Sequence, residues 1–211
     1  MKHSPSDVVI GLEKWRKDRG MDKQSFDSYN QAGRLLEECS EFILKEPIDA
    51  ACDLQVFAIN AMASFGQPIM LIDVRQTTNE YRVTPNIWDI VDKVSTLGRG
   101  YPETDAFNLL MDIASDSARM VEHLGYHNYE CMMEAIKEIS CRKQDPEQAK
   151  EWAVTGPVGK WKKDANQDPA TLYKANYDKC KKSLNQNPDE TSLSEDVFGS
   201  GEDLDSILGE R

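Results

Sequence analysis

Three features of the sequence predict an all-α fold. Apolar residues recur at helical spacing through most of residues 6–143, no stretch shows sustained period-two alternation, and Gly or Pro punctuates the helical runs. The architecture expected is a helical bundle, followed by an irregular basic segment and a disordered acidic C-terminal tail.

Each element has its own signal. Residues 6–19 read as a first helix with Ser6 or Asp7 as N-cap, with Val9, Ile10, Leu12 and Trp15 among its apolar residues and Gly20 as its stop. A second helix is expected from about Phe26 to Lys45 with Ser25 as N-cap, and a third over about 48–65, with Pro47 in its first turn and Gly66 at its end. A fourth is expected over roughly 68–83 (Ile69, Ile72, Val74, Tyr81), before a seam at Thr84-Pro85. Helices over about 86–97, 104–124 and 127–143 follow, the last two divided by Gly125. Beyond Lys143 the composition turns to Lys, Trp, Tyr, Gly and Pro. A short helix near 146–153 and a final one near 169–182 are expected there. Residues 183–211 set eight acidic side chains against Arg211 and carry too little apolar surface to fold alone, although Leu204, Ile207 and Leu208 stand at a spacing that suits docking on a protein partner.

Composition narrows the function. At 211 residues the chain can bury one substantial core or two small ones. No run approaches the roughly 18 apolar residues of a membrane span, and the N-terminus has no signal-peptide apolar core, so the cytoplasm is the expected compartment. A net charge of −12 disfavours binding to a nucleic-acid backbone, yet is compatible with a small phosphorylated ligand reached through bound cations. The five cysteines (Cys39, Cys52, Cys131, Cys141, Cys180) lack zinc-like pairs and are odd in number, which argues against a disulfide framework. Cys39, Cys52 and Cys131 read as reduced core residues. His123 and His127 straddle Gly125 and make no zinc pair.

The chemistry concentrates in Arg34–Met62, RLLEECSEFILKEPIDAACDLQVFAINAM. On its first helical run Leu35, Leu36, Cys39, Phe42 and Ile43 share one side, with Glu38 and Glu41 at its edge and Glu37 further round. On the second run Asp49 and Asp53 stand one turn apart in an otherwise apolar helix, with Asn60 two turns on. A carboxylate on such a helix must be paired, protonated or bound to metal. Glu38, Glu41, Asp49 and Asp53 together offer an all-oxygen donor set that suits Mg²⁺ or Mn²⁺ better than zinc. The plainer reading is two amphipathic helices with solvated glutamates and one aspartate at an N-cap.

The chain also carries an internal echo. Asp53 precedes Gly66, and Asp112 precedes Gly125, by the same thirteen residues. A helix with acids three apart comes before each: Glu38 and Glu41, then Asp89 and Asp92. Two such hairpins, with halves at about 1–84 and 85–143, would pack as a pseudo-symmetric bundle.

Glu38-x-x-Glu41 preceded by Glu37, the closing Asp53, and the LQVFAINAMASFG that follows together resemble the all-α nucleoside triphosphate pyrophosphohydrolases of MazG type, particularly small bacteriophage members. GLEKWRKDRG is similar to the first helix of those proteins, with Trp15 at their aromatic position, and YECMMEAIKEISCRK to their last core helix. The chain departs from the family pattern at Ala50, where a Glu three residues before Asp53 is expected. Asp49 stands beside it on a shorter arm, and the interval from Glu41 to Asp53 is shorter than in many relatives.

The resemblance implies an NTP pyrophosphohydrolase-like domain over residues 1–182, with an acidic tail over 183–211. It implies hydrolysis of a nucleoside triphosphate, a dNTP foremost, to the monophosphate and pyrophosphate, in the host cytoplasm if the protein is phage-encoded. Glu38, Glu41, Asp49 and Asp53 would hold Mg²⁺ or Mn²⁺, and Glu37, Glu38 and Glu41 form the catalytic group, Glu37 or Glu41 orienting or deprotonating the water. Arg142, Lys143, Lys160 and Lys163 are candidate cations for the leaving pyrophosphate, the ordinary alternative for each lysine being a solvated charge. Trp161 or Trp15 can stack on a base, with core packing the alternative for Trp15. Asn60 can hydrogen-bond sugar or base, or sit as a satisfied buried amide. Degenerate acids at Asp89, Asp92 and Asp112 imply one working site per chain. Expected partners are the nucleotide, further copies of the chain in a homodimer or higher oligomer, and a protein for the tail, with neither nucleic acid nor membrane. The rival is a non-catalytic nucleotide- or protein-binding module built on the same bundle.

Overall fold

The computed structural model describes residues 3–21, 24–71, 73–74, 86–100, 102–157 and 160–183. Within them the chain is helical, with no strand and two isolated bridges, Tyr126 to Lys181 and Gln144 to Lys163. Seven α-helices are described: α1 Pro5–Asp18, α2 Ser28–Leu44, α3 Pro47–Ala63, α4 Ile87–Gly98, α5 Glu103–His123, α6 Asn128–Cys141 and α7 Pro146–Thr155. None is long and apolar enough to cross a membrane.

The first two N-caps lie two or three residues from their expected positions. Ser4, not Ser6 or Asp7, starts α1. Asp7 instead accepts from the Ser4 backbone N–H at 2.8 Å and completes a capping box. Asp27 rather than Ser25 caps α2 by accepting from Asn30 N. Pro47 opens α3 at its first position, where its missing N–H costs no hydrogen bond. The helix expected over 68–83 is not seen in residues 67–71, which are irregular, and residues 75–85, with the Thr84-Pro85 seam, lie outside the described residues. The final helix expected over 169–182 is also corrected. Two 3-10 turns, Pro169–Thr171 and Tyr177–Cys180, flank extended chain, because Pro169 and the polar run beyond it offer no continuous apolar face. The acidic tail from residue 184 lies outside the described residues.

Helix α3 is the axis of the core. Leu54, Ala58, Ile59, Ala61 and Met62 are at most 1% exposed, so the helix buries nearly its whole circumference. It packs most extensively on α5, whose Leu110, Ile113 and Met120 are fully buried, and forms a hairpin with α2 through Leu35, Cys39 and Phe42. Helix α2 lies on α4, and α4 pairs with α5, so the two helical hairpins stack on each other. Helices α1 and α6 pack together across α3. Gly11 lets them approach, since a Cβ there would stand 3.2 Å from Ile136 Cδ1. Ile10 is exposed and Val8 takes its expected place in the core. Cys39, Cys52 and Cys131 are free thiols in the core, as expected, and Cys180 joins them.

A buried polar network joins the axis to its neighbours. Gln55 Nε2 donates to Asn128 Oδ1 at 2.9 Å and Asn128 Nδ2 returns a bond to Gln55 Oε1 at 3.1 Å. Glu122 accepts from Asn128 N and pairs with Lys182 at 2.9 Å. The extended chain after α7 is thereby pinned to the bundle. Its far end is also held by Lys182 N donating to Gly125 O, at the turn where Gly125 takes a φ of 86°.

Candidate functional site

Helices α2, α3 and α6 bring carboxylates together at one end of the bundle. The hairpin at Pro47 folds Glu38 and Glu41 of α2 against Asp49 and Asp53 of α3, and α6 adds Glu138. Burial raises the Glu38 carboxyl to about 8, with Asp53, then Glu41, Asp49 and Glu37, adding to it. Burial likewise raises Asp53 to about 7. Asp49 adds to that rise, Arg142 opposes it, and Glu138 and Glu41 add smaller contributions. Glu38 Oε2 is buried and has no hydrogen-bond partner.

Beside Asp53 opens a cavity of about 580 Å³ whose wall comes from α1, α2, α3, the end of α6 and residues 160–163. Its apolar side is Trp15, Met21, Val56, Phe57, Ile139 and Trp161. Its cations are Arg16, Arg34, Arg142, Lys160, Lys162 and Lys163. Asn60 and Arg34, both more than nine-tenths buried, line it. Asn60 Oδ1, Arg34 Nε, Gln31 Oε1 and Trp161 Nε1 are buried there without hydrogen-bond partners. Polar atoms so placed cost about 1–3 kcal/mol each unless something pairs with them. Trp161 is held in place by Arg19, whose guanidinium lies 4.9 Å from the Trp15 ring centre and 5.4 Å from that of Trp161, and donates to Ile139 O and Arg142 O.

The structure gathers most of the residues singled out in the sequence. Asp53, Asn60, Arg142, Lys160 and Trp161 line the cavity, and Lys163 and Trp15 do too. Trp15 also packs in the core and donates to Ile139 O at 3.2 Å. Glu37 is exposed, with Lys160 Nζ at 3.6 Å from its carboxylate, and Glu41 is exposed beside the cluster. Lys143 is the exception. It is exposed, does not line the cavity, and spends its backbone N–H on Gln167 and its carbonyl on Asp164 N, because α6 ends at Cys141 and the chain turns away.

Arg34, Gln31, Lys162, Glu138 and Tyr177 were not foreseen. Arg34 and Gln31 sit on the same α2 as the acidic motif, one and two turns earlier, so that spacing was a usable signal for the two of them. The second hairpin holds no matching acid cluster among the described residues. Asp89 is spent on the α4 capping box, Asp92 and Asp112 are exposed, and the buried Asp116 is neutralised by Lys93 at 2.5 Å and by Arg119.

The chemistry of the donor set fits a hard divalent cation. Every side chain in it offers carboxylate oxygen, its charges are under-compensated, and Glu38 Oε2 is an orphaned buried acceptor. As placed, no group of three or more His, Cys, Asp or Glu among the described residues is arranged to hold a metal ion. Holding a cation here would require the carboxylate side chains to leave the rotamers they now have. Comparison of the chain with family models, curated proteins and solved structures finds no match.

Proposed function

We propose that this protein is a divalent-cation-dependent nucleoside triphosphate pyrophosphohydrolase of the MazG-like kind, releasing a nucleoside monophosphate and pyrophosphate. The observation that carries this reading is a single continuity. Asp53 belongs both to the carboxylate cluster and to the wall of a cavity lined with tryptophans and cations. A nucleotide needs an aromatic and hydrogen-bonding seat at one end and charge neutralisation at the other, and these lie side by side here.

Glu38, Glu41, Asp49 and Asp53 would hold Mg²⁺ or Mn²⁺, which when bound supplies charge neutralisation of the triphosphate and activation of the attacking water. Glu41 or Glu37, both exposed, would orient that water and accept its proton. Arg142, Arg34 and Lys160 bind and orient the phosphates and steady the leaving pyrophosphate. Trp161 and Phe57 offer faces for the base, and Asn60 Oδ1 an acceptor for one of its N–H groups. The stacking of the two hairpins supports descent from a duplicated hairpin, with the catalytic acids kept in the first copy.

The absence of a ready metal group among the described residues, together with Ala50, favours a second reading: a nucleotide-binding module that does no chemistry. A panel of ribo- and deoxynucleoside triphosphates assayed for pyrophosphate with Mg²⁺ or Mn²⁺ separates the two. The enzyme releases pyrophosphate from at least one, and a binding module quenches tryptophan fluorescence while releasing none.

A further inference from the structure

The segment 173–177, extended up to the Tyr177–Cys180 turn, crosses α6 and reaches the start of α3, and four of its polar groups end on acids. Tyr173 Oη donates to Glu134, Ala175 N to Glu138 Oε2 at 2.7 Å and Asn176 N to Glu134 Oε2 at 3.0 Å. Tyr177 Oη donates to Asp49 Oδ1 at 2.6 Å. That last bond differs from the others, because its acceptor is one of the four carboxylates assigned to the cation and sits in the first turn of α3. We propose that Tyr177 is a positioning residue for Asp49, fixing its carboxylate so that this shorter acid serves the divalent-cation site where Ala50 leaves no glutamate. The inference rests on the metal-site part of the proposed function.

Three observations converge on it. Asp49 Oδ2 accepts no hydrogen bond from the described residues, so one oxygen is tied down while the other is available to a ligand. Asp49 stands one turn before Asp53 on α3, so the two carboxylates share one face of that helix. Tyr177 is half-buried and packed on the core, and its phenol O–H donates its one proton to Asp49. An aspartate arm is one methylene shorter than a glutamate arm. Restricting its rotation lowers the ordering cost of binding a cation, which is how a fixed ligand gains affinity.

The test uses the full chain with Tyr177→Phe, which keeps the ring, and Tyr173→Phe, which loosens the same segment through Glu134 without touching the cluster. Mn²⁺ affinity is read from the free-ion paramagnetic resonance signal, stability from thermal unfolding, and function from the Mg²⁺ concentration giving half-maximal pyrophosphate release. The expected result is weaker Mn²⁺ binding by Tyr177→Phe, on the order of tenfold, the scale of one hydrogen bond to a charged group. The half-maximal Mg²⁺ should rise in parallel, while Tyr173→Phe lowers the melting temperature and keeps wild-type Mn²⁺ affinity. Equal Mn²⁺ affinity in Tyr177→Phe and wild type, or equal losses in the two variants, would overturn the proposal. Wild type that binds no Mn²⁺ sinks it together with the metal site. Wild type that binds Mn²⁺ but releases no pyrophosphate removes only the hydrolytic reading, and the affinity comparison still decides the role of Tyr177.

Discussion

The Arg142 guanidinium donates to Glu138 Oε1 at 2.6 Å, one helical turn back along the end of α6, and its charge counters the rise in the Asp53 carboxyl across the cavity. Glu138 is itself fixed at its other oxygen by Ala175 N. Arg142 is thus aimed from behind by an acid and faces another acid in front. A triphosphate entering the cavity would meet a cation already ordered. Arg142→Ala should raise KM for the nucleotide about tenfold or more, from the loss of a charge-assisted contact. Glu138→Gln should act in the same direction more weakly. Steady-state pyrophosphate release over nucleotide concentration measures both.

Glu38→Gln should abolish most turnover, roughly a hundredfold or more, on the scale of losing a group that serves a metal-activated nucleophile. The bundle should survive, because the amide is isosteric and removes a carboxyl whose ionised form is penalised by burial. Unchanged circular dichroism with lost pyrophosphate release is the expected pair of results. A variant with wild-type turnover would remove Glu38 from the site.

Stability without added cation should fall as pH rises from about 5 to 8. The folded carboxyls of Glu38 and Asp53 titrate near 8 and 7, well above the range of about 4 for carboxyls in an unfolded chain. In that window the native state holds more protons than the unfolded one, so raising the pH favours unfolding. Full linkage of one group is about 1.4 kcal/mol per pH unit, and solvent reaching Glu38 reduces its share. Melting curves from pH 5 to 8 should show the decline, Asp53→Asn should flatten it, and Mn²⁺ added near pH 7 in weak buffer should release protons.

Trp161→Ala should weaken nucleotide binding several-fold and reduce the tryptophan quenching that nucleotide produces, because Trp161 supplies both a cavity wall and an unpaired Nε1 donor. Fluorescence titration with a non-hydrolysed analogue isolates this from turnover.

Asn128→Ala should cost stability rather than chemistry, about 2–3 kcal/mol, because it leaves the buried Gln55 amide without its reciprocal partner. Urea denaturation measures it. Nucleotide affinity at low temperature should be unchanged, since Asn128 lies away from the cavity wall.

Much of this molecule is written in local pattern. The apolar circumference of α3, the Pro47 break and Gly125 determined the all-α class and placed most helices to within a few residues, because burial of a stripe and the backbone limits of proline and glycine act over one or two turns. The same pattern put Glu38, Glu41, Asp49 and Asp53 on facing helices. Tertiary structure alone decided which distant groups meet them. Glu138 and Tyr177 are ordinary surface-type residues in sequence. Glu138 joins Asp53 through the packing of α6 on α3, and Tyr177 joins Asp49 only once the chain after α7 folds back over α6. Lys143 and Lys160 look alike on paper, yet the turn after Cys141 carries one away and the return of residues 160–163 brings the other to the rim. Contacts between segments far apart in the chain have no periodicity to betray them. They are set by where the loops can close and which buried polar atoms find partners there.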